Sequence, residues 1–347
     1  MIQKAIAKVV QGRHLSEEET AAALEQIMEG RATPAQVGAL LAALRLKGET
    51  VGEITGAARA MRAKATPVPT RLHERGAVLM DVVGTGGDGA GTFNVSTATA
   101  LVVAGAGVPV AKHGNRAASG TCGSADVLEA LGVPLDLTPE EMGDCLDRLN
   151  IAFLFAPALH PAMRHVAPPR RELGLRTIFN LLGPLTNPAR PQALLLGVAH
   201  PRLVPLMAQV LRRLGQPRAM VVCGQGGLDE VSLAGPTRVC HLHHGRIRDY
   251  TLTPEDAGLK RAPLEAVRGG SVEDCRRHLR EVLLGRPGPR RDMVLFNAAC
   301  ALTLAGAARN LRQGVDLAAR SIDRGRALAR LEALAALTRR QPRSAEA

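Results

Sequence analysis

The chain has 347 residues, enough for one large domain or two, each with a substantial buried core. Apolar residues make up 46% of the chain and charged residues 22%, a balance that is typical of globular proteins and excludes a disordered chain. No apolar run approaches the roughly 18 residues that a membrane span requires, so we expect no membrane partner.

The formal net charge of +12 raises the question of a nucleic-acid partner. Aromatic residues make up only 2% of the chain, however, and tryptophan is absent, which leaves few side chains for stacking on bases. We interpret the charge as solvated helix surface and expect no nucleic acid. The six cysteines form no C-x-x-C pair and no signal peptide is evident, so we expect reduced thiols and a cytoplasmic protein.

The N-terminal part of the chain carries helix signals. Capping boxes, in which a hydroxyl residue is followed three positions later by Glu or Gln, begin at Ser16, Thr33 and Thr50. Gly30 and Gly48 stand where the intervening helices should end. An apolar helix face is formed by Val37, Leu40, Leu41 and Leu44. That face must pack against the rest of the chain, against a second subunit, or against both.

After a proline-containing linker over residues 65–71, the pattern changes to an alternation of strands and helices. Apolar runs typical of buried parallel strands occupy residues 78–83, 108–111, 151–155, 193–198 and 219–223. Helical stretches lie at 96–106, 124–131, 139–149, 201–214 and 293–304. Residues 237–242 and 246–252 predict an antiparallel hairpin. We therefore expect an α/β fold with a mainly parallel central sheet, preceded by a small helical domain.

A glycine-rich loop follows the first predicted strand. Residues 84–91 read Gly-Thr-Gly-Gly-Asp-Gly-Ala-Gly, and the backbone N–H groups of such a loop can surround a phosphate. The spacing also matches the G-x-G-x-x-G dinucleotide fingerprint, but no acidic residue occurs between Asp88 and Asp126 to hold a ribose hydroxyl. A phosphate-binding loop and a structural turn both remain open.

Two polar segments are predicted to share the same edge of the sheet. Residues 94–97, Asn-Val-Ser-Thr, begin a predicted helix and can serve as a plain cap or as an anion or metal site. Residues 112–124 follow the second predicted strand and combine two basic side chains and His113 with glycines and hydroxyls. Because open α/β sheets bind ligands at this edge, the second segment favours a polyanion.

Two later segments carry further charge. Pro and Gly turns surround several arginines, and a guanidinium fits a carboxylate bidentately, but the residues alone do not select Arg170 over Arg171 or Arg176. Asp229 and Glu230 follow the last parallel strand. Adjacent carboxylates are typical of Mg²⁺ sites and of ordinary surfaces alike.

Together these segments resemble the anthranilate phosphoribosyltransferases, over nearly the whole chain. The shared motifs are Gly84-Thr85-Gly86-Gly87-Asp88, Asn94-Val95-Ser96-Thr97, Lys112-His113-Gly114-Asn115-Arg116, Gly123-Ser124-Ala125-Asp126, Arg176-Thr177 with Phe179-Asn180, Gly183-Pro184-Leu185-Thr186-Asn187-Pro188, and Asp229-Glu230. The resemblance implies a nucleoside phosphorylase/phosphoribosyltransferase-like fold, with a small domain over residues 1–68, joined in space by part of 165–190, and an α/β domain over 69–347. It also implies a homodimer. The implied reaction of tryptophan biosynthesis transfers the phosphoribosyl group of 5-phosphoribosyl 1-diphosphate to the amine of anthranilate.

The resemblance also implies the site residues. Phosphoribosyl diphosphate would be surrounded by Gly84, Gly87, Asp88, Thr92, Asn94, Val95, Ser96, Thr97, Lys112, His113, Gly114, Asn115, Arg116, Ala117, Ala118, Ser119, Gly120 and Ser124. Anthranilate would meet Gly84, Asn115 and Arg170, with His113, His160 and Pro184 shaping its channel; Arg170 is selected because it aligns with that family's anthranilate-binding arginine. Two Mg²⁺ ions per subunit would be held by Ser96, Asp229 and Glu230. No acid or base catalyst is expected, because the aromatic amine is already neutral near pH 7.

Two alternatives accompany this hypothesis. A nucleic-acid-binding relative of the same fold is suggested by the charge, but it would not need Asp229, Glu230 and Arg170. A pyrimidine nucleoside phosphorylase shares the glycine loop in looser form, and the block that ends in Asn187-Pro188 disfavours it. The departure from the family at residues 120–122, Gly-Thr-Cys, leaves the fine phosphate contacts open. Cys122 is either an oxidation-sensitive thiol or a packing residue.

Overall fold

The computed structural model describes residues 1–117 and 121–338 of the chain. The N-terminal part is a helical bundle of α1 (Ile2–Val10), α2 (Glu17–Met28), α3 (Pro34–Lys47) and α4 (Val51–Ala63). The three predicted capping boxes are confirmed, since the hydroxyls of Ser16, Thr33 and Thr50 each accept a hydrogen bond from the backbone N–H three residues later. Gly30 and Gly48 follow the ends of α2 and α3, as predicted.

A mixed sheet forms the centre of the remaining described chain. Its strands are β1 (Met80–Gly84), β2 (Val110–Gly114), β3 (Ile151–Phe155), β4 (Ala193–Gly197), β5 (Arg218–Gly224), β6 (Thr237–His243) and β7 (Arg246–Leu252). They lie in the order β3-β2-β1-β4-β5-β6-β7, with β1 to β5 parallel and β6 and β7 antiparallel. The predicted strands and hairpin are confirmed, with ends that differ by three residues at most.

Helices cover both faces of the sheet. Their bounds are α5 (Val95–Gly105), α6 (Ser124–Ala130), α7 (Pro139–Leu149), α8 (Ala156–Leu159), α9 (Ala167–Leu173), α10 (Phe179–Leu182), α11 (Leu203–Arg213), α12 (Val272–Leu283), α13 (Pro289–Ala305), α14 (Leu311–Asp323) and α15 (Arg326–Thr338). The predicted helices α5, α6, α7, α11 and α13 are confirmed. The short helices α8 to α10 are not evident from the sequence, because segments of four to seven residues are too short to show a helical periodicity.

The side chains of β4 and β5 alternate between two hydrophobic cores. On β5, Met220 and Val222 join the core that contains α5, α13 and the C-terminal helices. Val221 and Cys223 point to the other core, which contains α11, the N-terminal bundle and apolar residues from the segment 166–185. β4 and β5 are therefore apolar on both faces, which explains their continuous apolar runs in the sequence.

The topology creates a crevice between β1 and β4. From β1 the chain proceeds to β2 and β3 on one side, then crosses to β4 and β5 on the other. Such a reversal of direction leaves room for a ligand at the carboxyl ends of the two strands. Gly84 and Gly197 are paired there as the last residues of β1 and β4. Among the residues that the structure describes, no helix is both long and apolar enough to cross a bilayer.

Candidate functional site

A cleft of about 780 Å³ lies at the carboxyl edge of β1 and β2. It brings together the glycine loop, the start of α5, the segment after β2 and the two carboxylates after β5. The predicted site residues that line it are Gly84, Gly87, Asp88, Thr92, Asn94, Val95, Ser96, Thr97, Lys112, His113, Gly114, Asn115, Arg116, Ala117, Ser124, Asp229 and Glu230. Arg170, His160 and Pro184 are not among the lining residues, and Ala118, Ser119 and Gly120 lie outside the described residues.

The paired glycines at the ends of β1 and β4 make room for Asp229. A Cβ on Gly84 would lie 2.3 Å from Asp229 Oδ2, and a Cβ on Gly197 would lie 1.6 Å from the Asp229 backbone oxygen. With both side chains absent, Asp229 reaches across the crevice and accepts a hydrogen bond of 2.6 Å from the Gly86 backbone N–H. The first glycine of the loop thus positions a carboxylate.

Arg176 also supports the glycine loop. Its Nη1 donates to the Gly86 carbonyl oxygen at 2.8 Å, and a Cβ on Gly87 would lie only 1.4 Å from that nitrogen. Arg176 and Asn180 both line the cleft, although neither was assigned to the site from the sequence. The resemblance motif that contains them was the only signal, since their approach to the loop depends on the folding of distant segments.

A cluster of three acidic residues, Asp88, Asp229 and Glu230, occupies one wall of the cleft. The Asp229 backbone N–H lies 3.4 Å from Asp88 Oδ2, and Glu230 accepts a hydrogen bond from the Ser96 backbone N–H. Burial, followed by the charge of Asp88, raises the pKa of Asp229 to about 7, and burial together with Asp229 raises the pKa of Glu230. A bound cation would reduce the repulsion between these crowded carboxylates.

The donors of this wall fit Mg²⁺. Oxygen ligands from one or two carboxylates, completed by substrate phosphates and waters, are the usual protein contribution to such a site. The described residues contain no group of three His, Cys, Asp or Glu side chains placed to hold a metal alone. Ser96, Asp229 and Glu230 therefore suit an ion that shares its coordination with a phosphorylated substrate.

Lys112 is the buried cation of the site, with only 3% of its surface exposed. Its Nζ donates to the Val82 carbonyl oxygen at 2.8 Å and to Ser96 Oγ at 3.2 Å. Burial lowers its pKa, and the carboxylates of Asp81 and then Glu230 oppose that shift. Asp81, itself fully buried, accepts a hydrogen bond of 2.8 Å from Asn187 Nδ2. Lys112 and Asp81 thus place opposite charges beneath the floor of the cleft.

His113 and His160 form a buried pair behind the cleft. Their Nε2 atoms lie 3.3 Å apart, and His113 Nδ1 lies 3.2 Å from the Gly183 carbonyl oxygen. Because a carbonyl can only accept, His113 carries its proton on Nδ1 and accepts a hydrogen bond from His160 at Nε2. Burial lowers the pKa of His113 to about 3 and that of His160 to about 4, so both rings are neutral at pH 7. Pro184 follows Gly183 and is also buried.

Arg170 lies in α9 and reaches the cleft through Asn180. Its Nη2 is 3.5 Å from Asn180 Oδ1, and its guanidinium carbon lies 5.3 Å from the centre of the Phe179 ring. Burial lowers its pKa, and its Nε is buried with no hydrogen-bond partner among the described residues. A buried guanidinium donor without an acceptor is costly, and a carboxylate ligand would satisfy it.

The guanidinium of Arg116 is engaged by the protein. Its Nη1 lies 2.9 Å from Asp126 Oδ1 and 2.8 Å from Glu129 Oε2, so the side chain is bound to α6. Thr85 and Thr97, in contrast, line the cleft with buried hydroxyls that have no partner in the described part of the chain. These hydroxyls are therefore better placed than Arg116 to meet an anion.

A second concavity, of about 560 Å³, lies between the β6–β7 hairpin and α14. Its lining includes Met220, Tyr250 and Arg312. It contains none of the predicted site residues and no group of adjacent carboxylates. The cleft at the carboxyl edge of the parallel strands is therefore the candidate active site.

A helical bundle packed on an α/β domain, with a cleft that can take an anion and a divalent cation, defines a class of phosphoribosyl- and glycosyl-transferring enzymes. Residues 3–65 match the model of the glycosyl transferase family helical bundle domain, and residues 76–328 match the model of the glycosyl transferase family a/b domain.

Particular relatives narrow this class. The anthranilate phosphoribosyltransferase of Symbiobacterium thermophilum is 56% identical over 96% of this chain and 97% of its own, and that of Moorella thermoacetica is 56% identical over 97% and 98%. The crystal structure of anthranilate phosphoribosyltransferase from Thermus thermophilus matches with a TM-score of 0.90 and 48% identity, over 96% of this chain and 99% of that one. The Saccharomyces cerevisiae enzyme in complex with PRPP and Mg matches with a TM-score of 0.89 and 30% identity, over 97% of both chains. The chain belongs to the anthranilate phosphoribosyltransferase family.

Proposed function

We propose that this protein transfers the phosphoribosyl group of 5-phosphoribosyl 1-diphosphate to the amine of anthranilate and releases diphosphate. The observation that carries the proposal is the convergence of the glycine loop, the start of α5, Lys112 and the Asp229-Glu230 pair in one cleft. Affinity in the micromolar range requires about 8 kcal/mol, more than a single charged hydrogen bond of roughly 1.5–3 kcal/mol supplies. A substrate with many phosphate oxygens therefore suits this many-sided site.

The phosphoribosyl diphosphate lies, in this proposal, between the glycine loop and the start of α5. Backbone N–H groups of the loop and of the helix N-terminus favour phosphate oxygens. The unpartnered hydroxyls of Thr85 and Thr97 offer further donors. The remaining proposed contacts are those of residues 112–120 and Ser124, of which Ala118, Ser119 and Gly120 lie outside the described residues.

Ser96, Asp229 and Glu230 would hold Mg²⁺, and we propose two ions per subunit. A metal held there would supply positive charge that stabilises the leaving diphosphate. The contact between Ser96 and Glu230 and the proximity of Asp88 to Asp229 support this assignment. Lys112, which donates to Ser96 Oγ, orients that hydroxyl.

Anthranilate would lie between Asn115 and Arg170, with its carboxylate facing the guanidinium and its amine facing the ribose carbon. The buried, unpartnered Nε of Arg170 supports this orientation. His113, His160 and Pro184 would shape the channel. Because burial lowers the pKa of both imidazoles to about 3 and about 4, they are weak proton acceptors, and the amine is already neutral. The proposed mechanism therefore rests on binding, orientation and stabilisation of the leaving group, without an acid or base catalyst.

We further propose that the molecule is a cytoplasmic homodimer in which residues 1–68, with part of 165–190, form the small domain and residues 69–347 the α/β domain. The shared core of the bundle and the segment 166–185 supports that division. The apolar face of Val37, Leu40, Leu41 and Leu44 is buried within the subunit, so it does not argue for a dimer. The exposed Met1, Val10 and Leu46 of the bundle do. All six cysteines are free thiols, as expected in a reducing compartment.

The decisive experiment follows anthranilate fluorescence in the presence of phosphoribosyl diphosphate and Mg²⁺. We expect fluorescence to fall with time and to require both substrates and the metal. Asp229→Asn should require a higher Mg²⁺ concentration for half-maximal rate, whereas Asp136→Asn, at an exposed position, should behave as the parent. No turnover, together with tight and salt-sensitive DNA binding, would establish the nucleic-acid alternative, and phosphorolysis of a pyrimidine nucleoside would establish the phosphorylase.

A further inference from the structure

Two cysteines from distant parts of the chain meet at the wall of the cleft. Cys122 precedes α6, Cys275 lies in the first half of α12, and both line the cleft. Their side chains are close enough to interact, and both are free thiols. The proposed transfer reaction uses neither sulfur. The closeness of the two thiols therefore reflects either packing alone or a second role.

The segments that carry the two sulfurs are held together by further contacts. Thr121 Oγ1 donates a hydrogen bond to the Gly270 carbonyl oxygen. On the other side, the Gly269 backbone N–H donates to the Gly91 carbonyl oxygen at 2.8 Å. A Cβ on Gly269 would lie 2.9 Å from Cys275 Sγ, so the backbone passes close to that sulfur. The approach of the two thiols is thus built into the packing of three loops.

Asn94, a predicted phosphoribosyl diphosphate residue, links this sulfur pair to the substrate site. Its Nδ2 donates to the Cys122 carbonyl oxygen at 3.2 Å, and Cys122 Sγ donates to its Oδ1 at 3.5 Å. The carboxamide of Asn94 is therefore oriented by both the backbone and the thiol of Cys122. A change at this sulfur changes a group that lines the cleft.

We propose that Cys122 and Cys275 form a reversible disulfide when the protein meets a peroxide, and that this bond weakens the binding of phosphoribosyl diphosphate. The formation of the bond rests on the proximity of the two thiols at the wall of the cleft. Only its effect on binding rests on the function proposed above.

The chemistry requires a peroxide as the two-electron oxidant. A thiolate of the pair attacks one peroxide oxygen, the O–O bond breaks, and the departing hydroxide takes up a proton to form water. The second sulfur then attacks the resulting sulfenic acid, the S–O bond breaks, and the second thiol proton leaves with the hydroxide as a second water. Two thiols are oxidised, one peroxide is reduced, and two waters are formed.

Local electrostatics assign the first step to Cys275. The interaction with Cys122 lowers the pKa of Cys275, and Arg290 adds to that shift. The same interaction, with burial, raises the pKa of Cys122. Cys275 is 2% exposed and Cys122 is half-buried, so a molecule as small as hydrogen peroxide enters from the cleft while larger oxidants are hindered.

The disulfide would change the site through Asn94. Once Cys122 has no thiol proton, Asn94 Oδ1 loses its donor, and the segment after residue 120 is fixed to α12. Loss of one hydrogen bond in the orientation of a binding residue corresponds to an affinity about three- to tenfold weaker.

The test treats reduced, folded protein with hydrogen peroxide, blocks the remaining thiols, and analyses a non-reducing digest by mass spectrometry. We expect a peptide that links Cys122 to Cys275, two hydrogens lighter than its parts, which dithiothreitol separates. Cys122→Ser and Cys275→Ser should lack it, and Cys240→Ala, which removes a buried thiol of the sheet, should retain it. Absence of the linked peptide from the parent protein, or its appearance only after unfolding, would overturn the proposal.

Calorimetric titration with phosphoribosyl diphosphate and Mg²⁺ tests the consequence. The oxidised protein should bind about three- to tenfold more weakly than the reduced protein, and dithiothreitol should restore the affinity. Equal affinity in the two states would overturn the claimed effect on binding. If the reduced protein did not bind phosphoribosyl diphosphate at all, the proposed function would be contradicted. The linked peptide would still show whether the disulfide forms.

Discussion

The buried histidine pair behind the cleft has a protonation state that depends on folding. In the unfolded chain an imidazole takes up a proton near pH 6.5, whereas burial lowers the pKa of His160 to about 4 and that of His113 to about 3. Between pH 6.5 and 4 the unfolded state therefore binds more protons than the folded state. The free energy of unfolding must fall as the pH is lowered through this range, by up to about 1.4 kcal/mol per pH unit for each ring.

His160→Asn should remove one of these two contributions. Because Asp81 has its pKa raised to about 6 by burial, it contributes in the opposite direction below pH 6, and only a comparison with a variant isolates the histidine. We expect the difference in unfolding free energy between the parent and His160→Asn, measured by urea denaturation, to decrease from pH 6.5 to pH 4. The same substitution at the exposed His244 controls for the loss of an imidazole. A difference that is constant with pH would contradict the assignment.

The substitution Arg170→Ala should chiefly weaken anthranilate binding. A charged hydrogen bond contributes roughly 1.5–3 kcal/mol, so we expect the KM for anthranilate to rise about 10- to 100-fold while the KM for phosphoribosyl diphosphate changes little. Initial rates with each substrate varied in turn measure both constants. Arg171→Ala, the exposed neighbour in α9, is the matched control. Similar increases in both KM values for Arg170→Ala would contradict the separate roles proposed for the two sides of the cleft.

Individual residues were predictable from the sequence to the extent that their neighbours along the chain determine them. Ser16, Thr33 and Thr50 cap helices through contacts with the N–H three residues away, so the local pattern suffices. The thiol pair Cys122–Cys275 could not be predicted, because no pattern within either segment indicates its distant partner. Arg116 looked available for phosphate, but Asp126 and Glu129 approach it only once α6 has formed.

At the scale of elements, the position of Asp229 beside the end of β1 depends on the absence of a side chain at the end of β4. A Cβ added at Gly197 would lie only 1.6 Å from the Asp229 backbone oxygen, so Gly197→Ala must displace either the strand or Asp229. Overpacking of this kind typically costs about 1–3 kcal/mol, and we expect a lower urea midpoint together with an increased Mg²⁺ requirement. Gly38→Ala in α3 is the control, since its nearest neighbour would be at an ordinary 3.9 Å. An unchanged midpoint for Gly197→Ala would show that the crevice is looser than the structure indicates.

The elements themselves were largely readable because their hydrophobic patterns are strong. Strands buried on both faces give continuous apolar runs, and the hairpin turn at His244-Gly245 has positive φ at both residues. The helices α8 to α10 were missed because they are short and are stabilised by the bundle and the sheet rather than by their own sequence. The contacts of Arg170 with Asn180 and of Arg176 with Gly86 were therefore also beyond local reasoning.

At the scale of the whole molecule, the two cores of the sheet support different sides of the cleft. One core joins the C-terminal helices to α5, whose N-terminus faces the cleft. The other joins the N-terminal bundle to the segment that carries Arg170 and Pro184. A movement of the bundle relative to the sheet would therefore move the proposed anthranilate side of the cleft while leaving the phosphate side in place.

The exposed apolar side chains of the bundle predict how two subunits meet. Val10 is 69% exposed and Leu46 88% exposed, and they belong to α1 and α3, which pack against each other. Burying such side chains contributes roughly 1.5–3 kcal/mol each, so replacing both with Glu should remove enough stabilisation to shift a dimer to monomers. Light scattering during size-exclusion chromatography measures the mass, and the parent should elute as a dimer. Leu284→Glu, at an equally apolar position of the α/β domain that is 59% exposed, should leave the mass unchanged. A monomeric parent would contradict the proposed dimer. A dimer that survives the double substitution Val10→Glu with Leu46→Glu but dissociates with Leu284→Glu would place the interface on the α/β domain instead.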